Sequence, residues 1–208
     1  MAIYLSSAYL APIEYYKVLV SKQTVFIEKF ENYQKQSYRN RCTILSANGT
    51  MSLSIPVEHS KTEKILTKDI RIADHGNWQH LHWNAIVSAY NSTPFFEYYR
   101  DDFEPFYQKK FKFLFDLNEE LRVLISKLLD IDVSLLNYTS EYAKSLPNND
   151  IDLRNTIHPK KLTQYSDKSV SPITYYQVFS DKFGFIENLS IIDLLFNMGN
   201  ESLIILSK

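Results

Sequence analysis

A mixed α/β fold in a single domain is what this sequence predicts, and three observations carry the prediction. The first third alternates short apolar runs with turn signals, the strongest being Asn48-Gly49 between two such runs. From Trp78 the spacing changes to a helical stripe at positions 78, 81, 82, 85, 86, 89 and 90. A strand-like run then returns at residues 133–138. Strands, then helices, then a late strand, with no internal repeat and no low-complexity linker, predict one domain over residues 1–208. The expected sheet is mixed, built on N-terminal strands and a hairpin, with helices concentrated in the middle of the chain. A length of 208 residues is enough for one substantial core.

Each element has its own signal. Residues Ala2–Ser6 form a short apolar run suited to a buried strand. Residues 11–20 predict a helix with Pro12 in the first turn, where a missing N–H is tolerated. Residues 24–30 predict the second strand, and 38–46 with 51–57 the arms of the hairpin. Residues 69–73 read as one more short strand. The Trp78 helix has Asn77 as N-cap and Pro94 as its stop. Residues 95–108 and 117–129 predict two more helices, the second opened by Asp116 with Glu119 in capping-box spacing. Residues 141–171 are polar and proline-containing, long enough for a functional loop, with Asp150, Asp152, Arg154, His158, Lys160 and Lys161 as a charged lid or a solvated face. A helix over 190–198 closed by Gly199, then the apolar run Ser202–Leu206, ends the chain. Asp193, three residues after Ser190, predicts a capping partner.

Composition narrows the function. A net charge of −1 argues against a global field for nucleic acid, so an anion site would have to be local. Four glycines, none in a GxGxxG or Walker-type run, leave no glycine-rich phosphate loop. One cysteine rules out an internal disulfide and a cysteine-rich zinc site, and no metal or cofactor is expected. No basic segment followed by a long apolar core opens the chain, and no apolar run approaches 20 residues. The expectation is a cytoplasmic protein with no membrane or nucleic-acid partner, acting on a small sugar or anionic molecule; composition leaves the oligomeric state open.

The densest polar segment is residues 34–42. Read as a strand, it puts Lys35, Ser37, Arg39, Arg41 and Thr43 on one face. Arg39 and Arg41 would then lie about 7 Å apart, suited to two oxygens of one phosphate or carboxylate. The competing reading is a charged strand face that blocks edge pairing. Asn40 and Cys42 fall on the opposite face, and a buried free cysteine is more often structural than nucleophilic. His82, on the apolar stripe beside Trp78, is a candidate acid or base, although a lone histidine on such a face is more often a hydrogen-bonded core residue. Glu28, at the end of the second strand, is a second candidate base. The first strand–loop–helix offers Ser7, Tyr9 and Glu14 as loop residues where α/β domains bind ligands.

Several of these stretches resemble the WbqC-like family of bacterial proteins. The likeness runs through Tyr9-Leu10-Ala11-Pro12-Ile13-Glu14-Tyr15-Tyr16 and from Glu31 to Arg41. It continues in Ile55-Pro56-Val57, from Trp78 through His82 to Tyr90, in Pro94-Phe95-Phe96 and from Asn188 to Asn197. Tyr38-Arg39-Asn40-Arg41 and the Trp78–His82 helix are its most specific parts. Where many members have a His-Gln-Pro-type stretch ahead of Tyr-Leu-Pro, this chain has Ser6-Ser7-Ala8, so no N-terminal histidine role carries over. The resemblance implies a place in O-antigen or other surface-polysaccharide biosynthesis, with transfer of an aminoacyl group such as glycine to a sugar. Taken with the residue readings above, Lys35, Arg39, Asn40, Arg41, Ser7, Tyr9, Glu14 and Trp78 are the expected substrate contacts and His82 and Glu28 the expected catalytic groups; a non-catalytic sugar- or phosphate-binding protein is the alternative.

Overall fold

The computed structural model describes residues 1–58, 64–160 and 174–208. Its first two strands are β1 (Ala2–Ser6) and β2 (Thr24–Glu28), joined through helix α1 (Ile13–Val20). β2 ends two residues before its predicted limit, because Glu28 is drawn into a charge cluster described below. Pro12 stands one position ahead of α1 as its N-cap.

The hairpin forms, one register step from the sequence expectation. Its strands are β3 (Arg41–Ser46) and β4 (Gly49–Ser54), antiparallel, with Ser46 opposite Gly49. The turn is therefore Ala47-Asn48, and Gly49 takes the positive φ of 105°. β3 starts at Arg41 rather than residue 38, because residues 35–40 form turns. Gln36 sits at φ 57°, and the Ser37 hydroxyl donates to the Gln34 carbonyl at 2.7 Å while accepting from the Arg39 N–H at 3.4 Å. Such side-chain bonds compete with strand pairing.

The strand expected at 69–73 is a single 3₁₀ turn, Thr67–Asp69, followed by isolated bridges from Arg71 to Phe113 and from Ile72 to Val57. The middle of the chain is helical: α2 (Trp78–Tyr90), α3 (Phe96–Gln108) and α4 (Leu114–Leu128). α4 begins three residues before its expected start, so Asp116 lies inside its first turn. The capping-box expectation fails there, since Glu119 pairs with Arg122 instead. Strand β5 (Leu136–Tyr138) covers the last three residues of its expected run. Strand β6 (Ile151–Asp152) lies inside the segment expected to be loop, and residues 161–171 of that segment lie outside the described residues. Helices α5 (Ser180–Phe183), α6 (Ile191–Met198) and α7 (Ser202–Leu206) follow. Asp193 caps nothing: the Ser190 hydroxyl donates to the Leu10 carbonyl, while Asp193 accepts from Tyr90 and Tyr175.

Topology decides where a site can be. The four-stranded sheet has the order β5-β2-β1-β6, and its pairings are all parallel. The mixed sheet expected from sequence is thus two separate sheets, one parallel and one antiparallel. Connections from β1 to β2 and on to β5 step one way; the connection to β6 steps back past β1. Right-handed crossovers then put α1 and α4 on one face and the β5–β6 connection on the other. Side-chain burial agrees: Ile3, Leu5, Val25 and Ile27 are buried on the helical face, while Tyr4 and Phe26, stacked at 5.1 Å, are half-buried on the other. The reversal lies between β1 and β6, and open parallel sheets bind ligands outside the carboxyl ends of the strands at such a point. No helix of the described residues is long and apolar enough to cross a membrane.

Candidate functional site

At the carboxyl ends of β1 and β6 a crevice opens, lined by Ser6, Ser7, Ala8, Tyr15, Tyr38, Arg39, Arg154 and Ile157 among others. It encloses about 10 Å³, room for one water, so a larger ligand would sit across its mouth. Ser6 and Ser7 arrive there because β1 ends at Ser6, Arg39 because the 35–40 turns fold back over β1, and Arg154 because it follows β6 by two residues.

Beneath the crevice lies a buried network of charges. Arg39 is 2% exposed and forms a two-pronged ion pair with Glu31: Nε donates to Oε1 at 2.8 Å and Nη2 to Oε2 at 2.6 Å. Nη2 also donates to the Ser6 hydroxyl at 2.7 Å. Nη1 makes no hydrogen bond among the described residues. Asn118 of α4 donates to the Arg39 carbonyl at 2.8 Å and to the Ser7 hydroxyl at 3.2 Å, and its own buried amide oxygen has no partner among the described residues.

Glu28 is fully buried and its carboxylate accepts four hydrogen bonds among the described residues. Oε1 accepts from the Phe30 N–H and the Thr139 hydroxyl, each at 2.8 Å; Oε2 accepts from the Ala143 N–H at 3.0 Å and Arg154 Nη1 at 3.2 Å. Arg154 is further gripped by Asp152 through Nε and Nη2 at 2.9 and 2.6 Å, a bidentate fork. Glu28 thus fastens the 139–154 segment to the sheet, and accepting a proton there would break existing bonds.

The sequence candidates separate into groups. Arg39 and Ser7 share the crevice, while Tyr9 braces it through its N–H on the Tyr38 carbonyl at 2.9 Å. The expected cationic face is not formed, because the turns at 35–40 take Arg39 off the strand. Lys35 is exposed on a turn, Arg39 is turned inward onto Glu31, and Arg41 is half-buried in β3 with its Nε unpartnered among the described residues. Asn40 holds the hairpin by donating to the Ile55 carbonyl at 2.8 Å. His82 and Trp78 do not line the crevice: Trp78 packs edge-on against His82 at 5.2 Å, and both are buried. His82 Nδ1 lies 3.0 Å from the Tyr9 hydroxyl, which in turn lies 2.9 Å from the Tyr107 hydroxyl. Burial lowers the His82 pKa to about 4, opposed by a hydrogen bond with the Ser54 backbone, so at neutral pH the ring is uncharged. Cys42 is wholly buried in the same core, and desolvation pushes its thiol far up, away from thiolate chemistry.

Glu14 has a different environment. It stands in the first turn of α1, half-buried, with its N–H donating to the Asn188 side chain at 3.0 Å, and its charge bears on Tyr38 of the crevice wall. Burial raises its carboxyl to about 7, against the lowering effect of Asn188. A carboxyl there exchanges protons at neutral pH.

Glu31, Asn118, Asp152 and Arg154 complete the site without having been picked out as substrate-facing residues. Asp152-x-Arg154 carries the one usable signal, since residues two apart near a strand share a face and can pair. Glu31 and Asn118 meet the site through tertiary folding and have no local signature. Among the described residues no group of three or more His, Cys, Asp or Glu side chains could hold a metal ion.

Comparison with known proteins adds ancestry. The uncharacterized protein Rv1507c of Mycobacterium tuberculosis (strain ATCC 25618 / H37Rv) is 26% identical over 200 residues, covering 82% of this chain and 81% of that protein. No solved structure matches the chain. The model of the WbqC-like protein family matches residues 7–164, a span that includes the β1–α1 loop, the Arg39 turn, α2, α4 and Arg154. This chain therefore belongs to the WbqC-like protein family.

Proposed function

We propose that this protein is a cytoplasmic enzyme of surface-polysaccharide biosynthesis. It modifies an amino sugar or nucleotide-sugar intermediate by acyl transfer, with an aminoacyl group such as glycyl as the donor unit. The crevice at the carboxyl ends of β1 and β6 receives the anionic part of the substrate. The observation that carries this reading is Arg39 at the switch point of a parallel sheet, anchored by Glu31 and Ser6 while Nη1 stays unengaged among the described residues. Transfer to an amine forms a C–N bond, expels the donor's leaving group with its electron pair and releases one proton. Glu14, with its carboxyl near 7, suits that proton. His82 enters as the residue that orients Tyr9 behind the crevice wall.

The alternative, a sugar- or phosphate-binding protein without catalysis, is favoured by the full set of partners on Glu28 and the burial of His82. One experiment serves both. Thermal unfolding is followed with nucleotide sugars, sugar phosphates and aminoacyl donors, for the native protein and for Ala8→Glu, which sets a negative charge at the crevice. A ligand at 100 times its Kd is expected to raise the midpoint by about 5–10 °C in the native protein, with most of the rise lost in Ala8→Glu. An equal rise in both proteins, or none with any of these classes, sinks the crevice as the site. Recovery of the bound sugar chemically unchanged with every donor decides for the binding protein.

A further inference from the structure

A larger cavity lies at the other pole of the sheet, by the amino-terminal ends of β2 and β5. It measures about 420 Å³, within the range of small-molecule sites. Its walls come from the end of α1, the start of β2, the turn between α4 and β5, and α7. Leu19, Val25, Ile131, Leu136 and Leu203 make the interior apolar.

Two further observations say what would fit. The side-chain oxygen of Gln23, on the wall, is buried with no hydrogen-bond partner among the described residues. A buried acceptor left unpaired is destabilising, and a ligand donor would recover that loss. The rim has a charge bias. α1 and α4 both end on a non-glycine residue in the left-handed region, Lys22 at φ 56° and Asp130 at φ 53°, which brings both side chains to the mouth. Asp132 stands beside them, with one carboxylate oxygen accepting the Ser134 N–H at 2.9 Å. Two carboxylates against one ammonium make the rim net negative.

From this geometry we infer a second binding site, for a small primary ammonium compound with an apolar body. The body fills the space between Leu19, Val25, Leu136 and Leu203. The ammonium donates to Gln23 and faces Asp130 and Asp132, and Lys22 disfavours a second cation there. The site is independent of the crevice and does not rest on the transferase reading.

The test uses three six-carbon probes with one tail and different heads: hexylammonium, hexanol and hexanoate. Binding is measured by calorimetry on the full chain, and located from shifts of backbone amide resonances. Hexylammonium is expected to bind at one site, at least tenfold more tightly than hexanoate. The shifts should centre on Val25 and Leu136, with Ser6 and Ala8 unmoved. Leu203→Trp, which fills the cavity, should abolish binding; Val20→Trp does the same work should Leu203→Trp fail to fold. Gln23→Leu should weaken hexylammonium at least fivefold and leave hexanol unchanged. Equal affinity for all three heads, binding that survives the filled cavity, or no binding of hexylammonium each overturns the inference.

Discussion

Replacing Arg39 with methionine is expected to lower the unfolding free energy by about 3–5 kcal/mol, because it strands the Glu31 carboxylate in the interior. Glu31 is 4% exposed and takes two short hydrogen bonds from Arg39. Removing one partner of a buried pair leaves an uncompensated charge, whereas exchanging both for apolar groups of similar size is often neutral. Arg39→Met with Glu31→Leu should therefore regain most of the loss, apart from the bond to Ser6. Urea denaturation of the two single variants and the double variant closes the cycle. A loss under about 1 kcal/mol for Arg39→Met is the result that contradicts the buried-pair account, since that is the range of exposed pairs.

The second large effect is a pH dependence centred on Asp193. This carboxyl of α6 is 2% exposed and accepts from the Tyr175 hydroxyl at 2.6 Å, the Tyr90 hydroxyl at 3.0 Å and the Gln177 amide at 3.4 Å. Burial lifts it from 3.8 to about 6, although these three donors pull it down. The folded state thus keeps a proton that the unfolded state has released between pH 3.8 and about 6. Stability from this group is greatest at low pH and falls as pH rises through that window, by about 3 kcal/mol in all. Glu14, raised to about 7, acts in the same direction. His82, lowered to about 4, acts in the opposite one, since its neutral form is favoured in the fold. Comparing Asp193→Asn with the native protein cancels both. From pH 4 to 7 the stability difference should move toward the variant by about 2.4 kcal/mol, the part of the effect that lies above pH 4, measured by urea denaturation at each pH. A pH-independent difference would mean that Asp193 keeps an ordinary carboxyl pKa in the fold.

What the sequence disclosed follows from how far each interaction reaches. β1, α1, α2, α3 and the hairpin rest on periodicity and turn chemistry within a dozen residues, and all five formed where expected to within a few positions. The turn moved by one residue because Asn48-Gly49 is equally a signal for Ala47-Asn48 followed by a pairing glycine. β6 is two residues long and is stabilised by β1, far away in the chain, so nothing local announced it. The same limit applied to the site. Of the loop residues Ser7, Tyr9 and Glu14, only Ser7 lines the candidate crevice, because the loop after β1 opens onto it while the Tyr9 hydroxyl turns to His82 and Tyr107. The segment at 34–42 held the important arginine, but alternation was the wrong frame for it: the Ser37 side-chain bonds and the left-handed Gln36 break the strand. Glu31, the partner that turns Arg39 inward, sits eight residues before it, too far for a strand or helix rule to connect them.

The connection from β5 to β6 carries a consequence for the variation this protein can absorb. It crosses the sheet from edge to edge and is tied down at both ends, by Glu28 to the Thr139 hydroxyl and Ala143 N–H at one and by the Ala2 N–H to Asp150 at the other. Between these ties, residues 144–149 are mostly exposed. The ties, and not the length between them, fix the position of Arg154. Lengthening a flexible loop twofold adds only about 0.6 kcal/mol of closure entropy. An insertion of several glycines and serines after Asn148 is thus expected to leave the unfolding midpoint within a few degrees, whereas the same insertion after Arg154 should collapse it; comparable midpoints for the two would refute this. The exposed span between the two ties is a place where the fold can gain sequence, a natural port for a grafted peptide or a reporter, at no expense to the crevice.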